Sequence, residues 1–203
     1  MELPDKKYQI IYADPPWEYE FSHTRSREIK DYNVCDLKTI CDFPIKNIAD
    51  KNSILIIWVN FPKLDWAFKV IEAWGFKYTT MLFTWIKTNG SKYSLFWGMG
   101  YYTRSNPELC LIAKKGNGLQ AKKHDIHSVV FSSIKEHSRK PDEIRKTIVD
   151  LFGDVPRIEL FARNRFDGWD CWGDQLSDTV QKELGTVRHP TTQATSVRKE
   201  VVS

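Results

Sequence analysis

Apolar positions in this chain fall into two kinds of block, solid short runs and stretches with helical spacing. Tyr8-Gln9-Ile10-Ile11-Tyr12-Ala13 and Ser53-Ile54-Leu55-Ile56-Ile57-Trp58-Val59 are of the first kind. Runs of this length and β-branched content predict strands buried on both faces of a sheet. Thr79 to Ile86, Glu108 to Ala113 and Arg157 to Ala162 predict three further strands, and Trp169 to Trp172 a sixth. Between them lie helix signals. Asp36 suits the cap of a short helix through Ile40, which Pro44 would end. Pro62 suits a first turn, with Leu64, Phe68, Ile71 and Trp74 following at near-helical spacing and Gly75 as the stop. A third helix opens at Pro141-Asp142-Glu143, buries Ile144, Ile148, Leu151 and Phe152, and ends at Gly153. Strands alternating with helices predict an α/β sheet of mainly parallel strands.

Three polar stretches, 18–33, 88–106 and 114–136, read as long loops. From Gly185 to Ser203 large apolar side chains are scarce, which predicts one folded domain over 1–184 and a mobile tail over 185–203. The 203 residues suffice for one full core, and 41% hydrophobic with 28% charged residues is the balance of a soluble globular protein. A formal charge of +4 is mildly basic and suits a polyanionic partner. Cys35, Cys41, Cys110 and Cys171 have no CxxC spacing and no leader precedes them, so reduced thiols and a cytoplasmic location are expected. His124 and His127 lack paired ligands and read as surface residues, so no metal is expected. No apolar run is long enough to span a bilayer, and no membrane partner is expected.

The chemistry gathers where the first run stops. Asp14-Pro15-Pro16-Trp17 follows Ala13 directly, and neither proline can continue a ladder. A carboxylate, rigid carbonyls and an indole therefore meet at the carboxyl end of a strand, where open α/β sheets place their ligand crevice. Asp14 and the Pro15 carbonyl suit the two hydrogens of an aromatic amine, and Trp17 offers a stacking face. The same residues also satisfy a strand, a Pro-Pro turn and a core tryptophan, so the tetrapeptide alone does not decide. Arg163-Asn164 end a second strand and Asn60 a third.

Asp14-Pro15-Pro16-Trp17 resembles the signature of the MT-A70 family of adenine amino-methyltransferases. Trp58-Val59-Asn60, Trp85-Ile86-Lys87-Thr88-Asn89 and Arg104-Ser105-Asn106-Pro107-Glu108-Leu109-Cys110-Leu111 resemble family motifs too. So do His137-Ser138-Arg139-Lys140-Pro141-Asp142-Glu143 and Arg157-Ile158-Glu159-Leu160-Phe161-Ala162-Arg163, all in the family's order from about Tyr8 to Leu176. The resemblance implies a Rossmann-like methyltransferase fold, a mainly parallel sheet with helices on both faces. It also implies a permuted motif order, with the catalytic strand first and the cofactor strand late. The implied cofactor is S-adenosyl-methionine.

By the same resemblance Asp14, Pro15, Pro16 and Trp17 are catalytic. Asp14, Pro16, Ser138, Lys140, Phe161, Arg163, Asn164, Asp174 and Gln175 are cofactor-binding. Tyr19, Tyr32, Asn60, Lys87, Tyr101, Arg104, Asn106 and Glu108 are substrate-binding. Asp174 stands where the family usually has an amide, and Ala162 where it often has glycine. The implied activity is methylation of the exocyclic amine of adenine, with DNA as the preferred nucleic acid. RNA is the alternative polymer, and a non-catalytic nucleic-acid-binding subunit of a heterodimer is the third reading. A homodimer is also compatible. Lys114, Lys115, Lys122 and Lys123 read as a solvated face or, on nucleic acid, as a phosphate-contacting patch.

Overall fold

The computed structural model describes residues 2–18, 34–90, 94–135, 139–174 and 176. Seven strands form one sheet: β1 (Tyr8–Ala13), β2 (Ala49–Val59), β3 (Lys77–Thr88), β4 (Pro107–Lys115), β5 (Val129–Ser133), β6 (Arg157–Leu160) and β7 (Asp170–Trp172). Their order across the sheet is β5-β3-β4-β2-β1-β6-β7. Pairing is parallel except for β4, which runs against both β2 and β3. The fold is α/β and Rossmann-like.

Alternation along the strands divides the core in two. Ile11, Ala13, Leu55, Ile57, Val59, Leu111 and Leu160 face one layer, closed by helices α1 (Leu37–Asp42) and α2 (Leu64–Ala73) through Ile40, Ala67, Val70 and Ile71. Ile10, Tyr12, Ile54, Ile56, Trp58 and Ile112 face the other, closed by α3 (Glu143–Phe152) through Ile144, Ile148, Leu151 and Phe152. Helices therefore cover both faces, as the solid apolar runs of β1 and β2 require. Each helix starts and stops for a local reason. The Asp36 carboxylate accepts from Thr39 N–H at 2.7 Å. Pro62 lies in the 3-10 turn that leads into α2, and Gly75 (φ 80°) and Gly153 (φ 92°) take the left-handed turns that follow α2 and α3.

The site's position follows from this topology. The chain leaves β1 on one side to build β2, β4, β3 and β5, then returns to lay β6 and β7 on the other side. The order reverses at β1, and the carboxyl ends of β1 and β6 flank the resulting crevice. Adjacent first and late strands are what a permuted order requires. Because β4 is antiparallel, its first residues reach that same edge, with Glu108 opposite Trp85 and Leu109 opposite Val59.

Several expectations need correcting. β5 lies inside the stretch read as a loop; Val129-Val130-Phe131 was its signal, on an edge strand with much of its surface exposed. β6 ends at Leu160 because Phe161 turns to φ 59°. The basic run belongs to the far edge. Lys114 is level with Ile54 while Asp14 follows the Ala13–Ile57 level, roughly 13 Å farther along the strands. Lys122 N–H donates to Leu151 O at the end of α3, and Lys123 faces Asp150 at 3.7 Å. These lysines do not share an edge with Asp14.

Candidate active site

The segment after β1 is fastened at three points. Trp17 N–H donates to Pro15 O at 2.9 Å, closing a tight turn over Pro16, and Cys35 N–H donates to Pro16 O at 2.8 Å. Trp17 Nε1 donates to Trp58 O at 3.1 Å, with the indole 5% exposed in the core beneath α1 and α2. Trp17 is thus a buried peg that orients Asp14-Pro15-Pro16; the expected open stacking face is absent at this position. The Pro15 carbonyl keeps a second lone pair beyond the one Trp17 uses.

Above this turn runs a chain of alternating charges. Lys140, just before α3, donates from Nζ to Asp14 Oδ2 at 2.8 Å and stands 3.2 Å from Glu108 Oε2. Glu108 Oε1 in turn accepts from Lys87 Nζ, near the end of β3. The Lys140 ammonium also lies 5.6 Å from the centroid of the Trp58 ring. Lys140 and Glu108 are buried, whereas the Asp14 side chain is 27% exposed and reachable. Asp14 Oδ1 accepts no hydrogen bond from the described residues.

Burial alone would lower the Lys140 pKa, but Asp14 and then Glu108 hold it above the usual lysine range. Burial would likewise raise the Glu108 carboxyl, yet Lys140 and Lys87 hold it below the usual glutamate range. Lys140 and Glu108 are therefore both charged at neutral pH, each held so by its neighbours in the chain. Asp14, Lys87, Glu108 and Lys140, separated by up to 126 residues, form one unit.

The next two strand ends complete the crevice. Phe161 adopts left-handed backbone, a conformation that strains a residue with a β-carbon. Its ring is held among Phe43 at 5.5 Å, Trp172 at 5.7 Å and Trp74 at 6.5 Å, so packing fixes the turn. Ala162 N–H donates to Trp172 O at 3.0 Å. Gly173 approaches so closely that a β-carbon there would sit 2.3 Å from Ala162 O. This abutment carries Asp174 past the tip of β6. Asp174 raises the thiol pKa of Cys35, after the larger effect of burial, so its charge lies within reach of the Pro16–Cys35 pairing. Arg163 and Asn164 are half-buried beyond the same turn.

Asn60 follows β2 at this edge, and the Asn106 carbonyl accepts from Lys87 N–H at 2.9 Å. Arg104 and Tyr101 stand farther out, on the exposed loop before β4. Tyr19, Tyr32, Ser138 and Gln175 lie outside the described residues. Sequence reasoning missed Arg145 and Glu159, whose paired bonds of 2.6 Å tie α3 to β6. Arg145 also stacks 3.6 Å over Phe166, and burial notwithstanding, Glu159 holds its pKa above the usual range. A lone carboxylate between Ile158 and Leu160 was the available signal, because a buried charge needs a partner.

The model of the MT-A70 family matches residues 8–175. The chain is 32% identical over 196 residues to the type II methyltransferase M.MunI of Mycoplasma sp, covering 87% of this chain and 81% of that protein. It is 29% identical over 178 residues to a putative N(6)-adenosine-methyltransferase MT-A70-like of Medicago truncatula, covering 84% of this chain and 27% of that one. It is 25% identical over 177 residues to the N(6)-adenosine-methyltransferase catalytic subunit METTL3 of Homo sapiens, again over 84% of this chain and 28% of the relative. The chain thus spans most of the first relative and about a quarter of the others.

Proposed function

The chain belongs to the MT-A70 family, and from that premise we propose that it transfers a methyl group from S-adenosyl-methionine to the exocyclic amine of adenine in DNA. The observation that carries the reading is the fixed Asp14-Pro15-Pro16 turn at the crevice, with a reachable carboxylate and a pinned carbonyl side by side. DNA is taken first because the relative matched over most of both chains is a type II methyltransferase. RNA is the second reading, favoured by the relatives named for N(6)-adenosine. Among the described residues, no helix is long and apolar enough to cross a membrane.

The residues present fit the cofactor. Its cationic and amino parts suit Asp14, its carboxylate suits Lys140, and its ribose hydroxyls suit Asp174 beyond β7. The strained Phe161 turn and the Gly173–Ala162 abutment leave backbone at this tip for Arg163 and Asn164 to frame. When bound, S-adenosyl-methionine supplies an electrophilic methyl group on a sulfonium.

The protein's part is alignment and charge. Asp14 Oδ1 and the Pro15 carbonyl accept the two amine hydrogens, which draws the nitrogen lone pair out of conjugation. Their negative and dipolar character then stabilises the positive charge that develops on that nitrogen. Lys140 steers the Asp14 carboxylate, while Glu108 offsets the Lys140 charge that would otherwise oppose this development. The proton leaves to water after attack, so no side chain has to act as a strong base. An adenine in a duplex must leave the stack to reach the turn.

The test is incubation with S-adenosyl-methionine labelled at the methyl group, using unmethylated DNA and RNA, then digestion to nucleosides. Label co-eluting with N6-methylated deoxyadenosine supports the reading, and label only in the ribonucleoside moves it to RNA. Cofactor binding without transfer to either polymer overturns it.

A further inference from the structure

Between β3 and β4 the chain builds an exposed aromatic loop that the reaction itself does not use. Trp97 is 71% exposed, Met99 82%, Tyr101 66% and Tyr102 100%. So many large side chains in six residues do not face water without a reason. Arg104 lies 4.8 Å from the Trp97 ring centroid, and an open hollow of about 470 Å³ is lined by Met99, Gly100, Tyr102, Thr103 and Arg104.

The loop is braced by its own backbone. Leu95 bridges Thr88, Phe96 N–H donates to Lys87 O at 2.9 Å, and Ser105 N–H donates to Gly98 O at 3.1 Å. A β-carbon at Gly98 would meet Ser105 O at 2.1 Å, and one at Gly100 would meet Thr103 O at 2.5 Å. Both glycines are needed for this pinch, which holds the aromatic residues out at its tip. Its ends are anchored in the site, since Lys87 and Glu108 belong to the charge chain. Arg104 is four residues from Glu108, at most about 14 Å of chain.

We propose that this loop is a stacking platform for the bases flanking the target adenine, with Trp97 and Tyr102 taking base faces and Arg104 adding its planar charge. The inference rests on the reading of the chain as a nucleic-acid methyltransferase. Flat rings beside a guanidinium suit nucleobases on a charged backbone, because every base has a π-face and stacking tolerates any sequence. A platform braced before binding loses little entropy when occupied. Stacking on this surface would also offset part of the cost of unstacking the target.

The test compares the wild-type protein with a Trp97→Ala/Tyr102→Ala double variant. The probes are a fluorescein-labelled oligothymidylate with one central adenine and a strand of equal length with abasic residues flanking that adenine. Each stacked base is worth roughly 5- to 150-fold in affinity, so the wild type should prefer the base-bearing strand at least about tenfold. The variant should lose most of that preference while binding S-adenosyl-methionine as before, and Trp97→Phe should retain it. A variant with the wild-type preference overturns the inference, as does a change from dimer to monomer in light scattering, which would assign the loop to a protein partner. A wild type that binds neither strand instead removes the methyltransferase reading beneath it.

Discussion

Replacing Lys140 by methionine keeps most of its volume and removes the cation that joins Asp14 to Glu108. The two attractions act at 2.8 Å and 3.2 Å, so each is worth ~5–6 kcal/mol at the effective dielectric of a protein site. Several kcal/mol of ammonium desolvation and ~2 kcal/mol of side-chain entropy offset most of that sum in the wild type. The variant recovers those costs but leaves Glu108 buried with Lys87 alone, and Asp14 near it with no counter-ion. Removing one partner of a buried pair costs ~3–5 kcal/mol, and we expect the loss to fall in that range. For a domain of this size that lowers the thermal midpoint by roughly 6–20 °C.

Urea denaturation at neutral pH reads the loss directly, and its pH dependence checks the cause. Glu108 is depressed in the folded protein, so its contribution is present above the ordinary glutamate pKa and is lost as pH falls through the folded value. Lys140 is raised, so its contribution is complete below the ordinary lysine pKa and lost only as pH rises through its folded value. The gap between wild type and Lys140→Met is therefore widest near neutrality and narrows in acid. A neutral-pH loss under ~1 kcal/mol, or a gap independent of pH, would refute the coupled chain.

Other outcomes follow from the same packing. Tyr12→Phe strands the buried Trp58 Nε1–H, which now donates to Tyr12 Oη at 2.6 Å, and should cost ~1–3 kcal/mol in urea denaturation. Arg145→Met leaves Glu159 uncompensated and should cost ~3–5 kcal/mol, with much of this recovered in the Arg145→Met/Glu159→Leu double variant. Gly173→Ala forces a methyl group against the Ala162 backbone; calorimetry should show weaker S-adenosyl-methionine binding alongside a stability loss of ~1–3 kcal/mol.

Much of the scaffold is legible in the chain because burial on two faces leaves an unmistakable mark. β1 is read to both its ends from a solid apolar run, and β2 is read from Ser53 although the strand begins four residues earlier at Ala49. α1 is read from its Asp36 cap although it continues past Ile40 to Asp42. The direction of β4 is not legible, since a strand buried on both faces carries the same pattern whichever way it runs. That hidden direction is what delivers Glu108 to the crevice. Residue types in the motifs pointed to Asp14, Lys87, Glu108 and Lys140, but not to their joining in one ionic chain, which depends on three strand ends and a helix start meeting. Trp17 takes the core position that the tetrapeptide left open beside a stacking role. An aromatic residue beside a carboxylate invites a stacking role, yet its Nε1–H finds a backbone carbonyl and its ring finds the core.

The most direct test of the central claim is the single-turnover methyl-transfer rate of Asp14→Asn, measured beside its affinities for DNA and S-adenosyl-methionine. The amide keeps the shape of the side chain but replaces the negative acceptor that orients the amine. A fall in rate at saturating cofactor of about 10²–10³-fold is expected, the scale of losing one preorganised electrostatic contact, with the DNA affinity changed far less. A rate equal to wild type, with the nucleic acid bound and the fold intact, would contradict the claim.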